Sequence, residues 1–289
     1  MKHFYWIAAL VLLTFAGDRI GGVVLKKIIL DSKFRYSRMY GGQASADILL
    51  VGNSRGLSFY QPYMEEMTGL STFNISYSAM PMNLAEVLVR DYLARYEKPE
   101  YLFIDVTICD RLNPQLIAGF NCYSSFSDRL DSLIHAVAPS VNYGGKVSHL
   151  FRYNSEIFQR ALYYSNKMDE DWLLDREISS RLKQDIGSVD SPTVELVPEM
   201  LQHLAATVKF AEEQGIKVKL VVSPYYFPFA ERIKNLDAMV AQVETATGME
   251  VHDYSRAIKE PEDFGDYQHI NVRGSRTYIQ LLRQDGMLP

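Results

Sequence analysis

A serine, a histidine and an aspartate form a reactive set when the imidazole can take the hydroxyl proton and the carboxylate can orient the imidazole. One serine of this 289-residue chain stands in a suggestive setting. Ser54 lies in ILLVGNSRG, residues 48–56, directly after an apolar run and between Gly52 and Gly56. The bases on offer are His3, His135, His149, His203, His252 and His269. His269 stands out, because PEDFGDYQHINVRGS (residues 261–275) puts Asp266 three residues before it, in a glycine-containing loop. One turn of chain at that spacing can lay the carboxylate against the imidazole. By itself the spacing is also that of an ordinary surface pair.

The rest of the composition narrows the chemistry. A formal charge of −5 and a pI near 5.7 do not suit a nucleic-acid partner, which needs a basic face. No Walker-type glycine loop and no zinc-like spacing occurs, so neither cofactor nor metal is expected. Cys109 and Cys122 are the two cysteines; they read as small buried hydrophobes, with pairing as the alternative for an exported chain. Tyrosine is plentiful at 19 residues, and such rings suit both carbohydrate grooves and half-buried surfaces.

The amino terminus sets the compartment. FYWIAALVLLTFAG, residues 4–17, has no charge; Asp18 and Arg19 interrupt, and apolar residues resume to Leu25 before Lys26 and Lys27. The first run alone has the length of a signal-peptide core, with Thr14-Phe15-Ala16 as a tolerable cleavage site. Counted through Leu25, the stretch reaches the length of a spanning helix. Residues 1–27 are therefore read as a membrane anchor or signal segment. The main expectation is a single-pass protein of the bacterial cytoplasmic membrane whose remaining domain, residues 28–289, lies outside. Secretion after cleavage is the alternative.

Positioning Ser54 and His269 requires a scaffold, and its elements are visible. Residues 47–51 (DILLV) form a continuous apolar run, as a parallel strand buried on both faces does. Further strands are predicted at 71–76, 101–106, 217–223 and 249–252. Helices are predicted at 83–96 and from about 194 to 214, and a last helix follows His269. Alternating strands and helices imply a parallel sheet covered on both faces, with ligands at the carboxyl ends of its strands. The stretch from about 109 to 192 breaks the alternation. It reads as an insertion, with helices at 127–137 and 155–164.

These blocks together resemble the SGNH hydrolases, also called GDSL-type esterases, in particular membrane-anchored bacterial members acting on the cell envelope. DILLVGNSRG corresponds to that family's first block and DYQHINVRG to its last, while VKLVVSPYYFP (residues 218–228) is similar to its strand-plus-proline segment. The literal G-x-S-x-G match to the α/β-hydrolase elbow is then coincidental, because those enzymes place the elbow mid-chain and hold acid and histidine far apart. The resemblance implies a flavodoxin-like three-layer α/β/α fold with about five parallel strands.

It also implies roles. Ser54 is the expected nucleophile, His269 its base, Asp266 the orienting acid and Asp263 a substitute acid. The oxyanion hole would use the N–H of Ser54 and that of Ser78 or Ala79, where the family carries glycine. Thr107 stands where the family carries asparagine; Asn53 and Asn74 are further amide donors or plain turn residues. Arg55 reads as a solvated or ion-paired side chain, or as a contact for an anionic substrate. Tyr77, Tyr225 and Tyr226 read as packing or as a sugar-site lining. The expected activity is ester hydrolysis or O-acyl transfer on an acylated carbohydrate or other small ester. The alternative is an envelope binding or assembly protein of the same shape whose oxyanion hole has decayed.

Overall fold

The computed structural model describes residues 2–168 and 174–289, which fall into two compact units. One unit comprises residues 44–113 and 170–289, the other residues 1–43 and 114–169. The segment read as an anchor, residues 1–27, falls within the second of these units, as does most of the stretch read as an insertion. Residues 169–173 of that insertion lie outside the described residues.

The larger unit is built on five parallel strands in the order β2-β1-β3-β4-β5: β1 Ile48–Val51, β2 Thr72–Asn74, β3 Tyr101–Asp105, β4 Lys217–Val222 and β5 Val251–Asp253. The strands read as unbroken apolar runs because both faces are covered. Every residue of β1 is buried, as are Leu102 to Ile104 and Leu220 to Val222. Register runs Leu50 opposite Phe103 and Phe103 opposite Lys219, which brings the carboxyl ends of β1, β3 and β4 to one edge. Helices Met82–Leu93, Pro198–Glu213 and Leu236–Thr247 pack together, and Gln61–Thr68 packs with Val272–Gln284. Right-handed crossovers put these two groups on opposite faces. The chain leaves β1 toward β2 and returns past it to β3, so the sheet's switch point falls at the carboxyl ends of β1 and β3.

The smaller unit holds the helix Lys2–Asp31 and the helices Asp128–Val137, Pro139–Val147 and Glu156–Tyr163. Its core is aromatic and draws on both chain segments. Tyr36 meets Phe120 edge-on at 4.7 Å between ring centroids, and Phe34 stacks on Tyr164 at 5.8 Å. Ser32 donates to the Ala161 carbonyl. The Lys2–Asp31 helix is long and apolar enough to cross a membrane, and its residues 3–17 are mostly exposed.

Candidate active site

The loop after β1 turns hard because two glycines let its limbs meet. A Cβ on Gly52 would stand 2.6 Å from Gly56 Cα and 3.2 Å from Asp105 Cβ, closer than packed atoms allow. Asn53 secures the turn: its side-chain oxygen accepts the Arg55 N–H at 2.9 Å, and its amide donates to the Thr107 carbonyl at 3.0 Å. Asn74 likewise donates to the carbonyls of Gly56 and Phe59. Asn53 is thus a turn residue and Asn74 a strand-end residue, each with its amide donating to backbone carbonyls. Ser54 is left half-buried at the tip.

The loop 261–271 delivers the imidazole. His269 Nε2 lies 2.9 Å from Ser54 Oγ across 215 residues of sequence, and His269 Nδ1 lies 2.9 and 3.0 Å from the two Asp266 oxygens. Asp266 also accepts the backbone N–H groups of Gln268 and His269, at 2.8 and 2.9 Å. The carboxylate thus folds its own loop and aims the ring with the same atoms. Burial by itself would raise its pKa. The hydrogen bond and charge of His269, with the two N–H groups, outweigh that and hold Asp266 below its ordinary value. In this arrangement the imidazole can take the Ser54 proton while the carboxylate stabilises the imidazolium.

Asp263 faces elsewhere. It pairs with Arg273 Nε at 2.8 Å and accepts from Thr277 Oγ1 at 3.0 Å, so the substitute acid is committed to the final helix.

The oxyanion candidates divide. Ala79 has φ = 58°, the one positive φ outside glycine among the described residues, in the turn closed by the Met80 N–H to the Tyr77 carbonyl. That is the left-handed conformation glycine takes freely and an alanine holds at a cost of ~1 kcal/mol. Among the described residues the N–H groups of Ser54, Ser78 and Ala79 carry no hydrogen bond. Thr107 differs. It is buried, and its hydroxyl and N–H both donate to Asp105 Oδ1, so the hydroxyl proton is already used.

Arg55 is not the solvated side chain that was one of its expected readings; it is 5 % exposed. Its guanidinium lies over the Tyr225 ring, 3.4 Å from the centroid, and donates to the Gln268 carbonyl at 2.7 Å and to the Ser223 carbonyl. Ser223 in turn gives its N–H to Asp105 Oδ2 at 3.0 Å. Asp105 and Arg55 therefore hold one residue, Ser223, by its N–H and by its carbonyl, and tie β3, β4, the serine turn and the histidine loop together. The sequence reading missed Asp105, although a carboxylate closing an apolar strand (YLFID) was a usable signal.

Tyr225 also lines a cleft of about 350 Å³, together with Asp110, Arg111, Glu195, Phe229 and Gln268, the neighbour of His269. Tyr77 and Tyr226 are buried packing residues. Cys109 and Cys122 are both free and buried, and burial pushes their thiol pKa values up. Among the described residues no cluster of His, Cys, Asp or Glu could hold a metal ion. No protein-family model matches the chain, and no curated protein matches it significantly.

Proposed function

We propose that the chain is a membrane-anchored serine esterase or O-acyltransferase of SGNH type, acting on an acylated carbohydrate of the cell envelope. The observation that carries this reading is the continuous chain of hydrogen-bonding distances from Ser54 through His269 to Asp266, at the switch point of a parallel sheet. The two sequence blocks, the 2-1-3-4-5 strand order and the left-handed residue at the family's glycine position support the SGNH assignment. The apolar helix supports an anchor; on this reading the larger unit lies outside the cytoplasmic membrane.

Ser54 Oγ attacks the acyl carbonyl and its proton passes to His269 Nε2. The developing oxyanion takes the N–H groups of Ser54 and of Ser78 or Ala79. His269 then protonates the departing alcohol oxygen, leaving an acyl group on Ser54. Water or a sugar hydroxyl, deprotonated by the same imidazole, removes that group and restores the hydroxyl. Polar groups and the Tyr225 ring in the neighbouring cleft suit a sugar.

Hydrolysis of p-nitrophenyl acetate by the wild type, and its loss in Ser54→Ala, tests the reading. A fluorophosphonate probe should label Ser54 and no other serine. An inert wild type that the probe does not label would leave the second reading, a binding or assembly module. The observation favouring that reading is the Thr107 hydroxyl, spent on Asp105 instead of reaching the oxyanion.

A further inference from the structure

Asp18 and Arg19 interrupt the apolar helix, and both are spent on one turn of chain. Asp18 accepts from Ser148 Oγ at 2.6 Å and from the N–H groups of His149 and Leu150 at 2.9 and 3.1 Å. Arg19 donates to the Val147 carbonyl at 2.9 Å. The turn can lie this close because residues 21 and 22 are glycines. A Cβ on Gly22 would stand 2.3 Å from His149 Cβ, and one on Gly21 2.7 Å from a Leu150 methyl. Yet four apolar side chains around this docked turn are uncovered: Val147 is 75 % exposed, Tyr143 58 %, Leu150 45 % and Phe151 44 %. Ile20, Val23 and Val24 of the helix are exposed as well.

Helix length decides where such a patch sits on a spanning protein. Residues 4–17 rise only roughly 21 Å, short of a hydrocarbon core of roughly 30 Å. Residues 4–25 rise roughly 33 Å, which is enough. The span must therefore run to Leu25, with Lys26 and Lys27 on its water side. Asp18 to Gly22 then lie roughly 5–11 Å inside the Leu25 end of the span, and the turn hydrogen-bonded to them goes with them. Charges at that depth need partners, and the turn supplies them. Exposed apolar side chains there need an apolar solvent, and the bilayer supplies it.

We propose that residues 143–151 form a membrane-interface wedge beside the amino-terminal helix, with Tyr143, Val147, Leu150 and Phe151 inserted among lipid headgroups and the upper acyl chains. The inference rests on the reading of the helix as a membrane span. It commits to lipid because the patch is continuous with the apolar helix and held to it by four hydrogen bonds. The smaller unit then meets the bilayer at two places, so its orientation to the membrane surface is set.

The test uses the full chain in vesicles of phosphatidylglycerol and phosphatidylcholine. Leu150→Cys and Phe151→Cys carry an environment-sensitive fluorophore, and Asp128→Cys, on an exposed helix start, is the control. Native Cys109 and Cys122 are buried and stay unlabelled. The expected result is a blue-shifted emission at 150 and 151, quenched by lipid-borne quenchers and several-fold less accessible to aqueous iodide than the probe at 128. Asp18→Asn combined with Ser148→Ala should release the turn and return the probe at 151 to water. A chain that floats with the vesicles while its probes at 150 and 151 match the control overturns the wedge and leaves the anchor standing. A chain that does not float overturns both. Shielding that requires a second protein and not lipid overturns the wedge too.

Discussion

Among the described residues of the larger unit, two imidazole–carboxylate pairs occur, and they are not equivalent. His203 Nδ1 lies 2.6 Å from Glu86, joining helices Met82–Leu93 and Pro198–Glu213, with Arg90 on the same carboxylate at 2.8 Å. Its other nitrogen has only Glu199, at 4.0 Å. His269 makes a longer contact to Asp266, but its other nitrogen meets a serine hydroxyl at the carboxyl ends of the strands. Both acids are held below their ordinary values. For each, burial is the largest single influence and works against the shift; the histidine hydrogen bond and charge, together with Arg90 for Glu86 and backbone N–H groups for Asp266, outweigh it. A short, well-formed pair is thus no mark of chemistry. What separates the two is the third group and the place in the sheet.

The sharpest way to break this comparison is to remove each imidazole in turn. On the proposed reading, His269→Gln should lower kcat for p-nitrophenyl acetate by about 10⁴-fold or more. His203→Gln should leave kcat unchanged and cost about 1 kcal/mol in urea unfolding. Equal losses of activity in the two variants would erase the distinction.

Asp266→Asn comes next. It keeps the shape but favours the wrong tautomer of His269, so kcat should fall by about 10³- to 10⁴-fold with little change in KM. The wild-type pH dependence follows from the depressed carboxyl. Asp266 stays ionised below the ordinary aspartate range, so kcat/KM should show no loss from its protonation within that range. The stability that Asp266 contributes is present above the unfolded aspartate pKa and lost as pH falls through the lower folded value. Glu86 should behave the same way, so unfolding measured down this range should show both losses. A stability that rises as pH falls there would contradict the assignment.

A smaller effect is expected one step away from the triad. Arg55→Met keeps most of the volume under Tyr225 but drops the bonds to Gln268 and Ser223, and so loosens the histidine loop. Misplacement by about 1 Å costs about 10²-fold in kcat, and Arg55→Lys, which can keep one bond, should recover part of it. Because loss of fold would mimic this, the His269 Nδ1 proton resonance should be followed; it should persist in wild type and Arg55→Lys and broaden in Arg55→Met. A sharp, unmoved resonance with full activity in Arg55→Met would show that the tie is dispensable.

The smallest change is expected at Thr107→Val. The lost bond to Asp105 should cost about 1 kcal/mol of stability, because Asp105 keeps the N–H groups of Thr107 and Ser223. Turnover should hardly change. A fall of about 10²-fold in kcat would instead make Thr107 an oxyanion donor.

The amino-acid sequence by itself determined the α/β class, the five strand positions to within a few residues, the long apolar helix, and the two blocks around Ser54 and His269. These are local properties: a buried parallel strand needs an unbroken apolar run, and a helix needs its periodicity. Only the tertiary structure decided what crosses the chain. Asp263 and Asp266 stand at comparable spacing from His269, and the course of one loop sends the first to Arg273 and the second to the imidazole. Arg55 looked like a surface cation because its partners are carbonyl oxygens of Ser223 and Gln268, which leave no trace in side-chain pattern. Thr107 lost its expected part for the same reason, its hydroxyl being taken by a carboxylate two residues back. The aromatic core of the smaller unit likewise joins Phe34 and Tyr36 to residues more than eighty positions away, a pairing that no local pattern records. Sequence period records which face of an element is apolar; it does not record which distant element that face or side chain will meet.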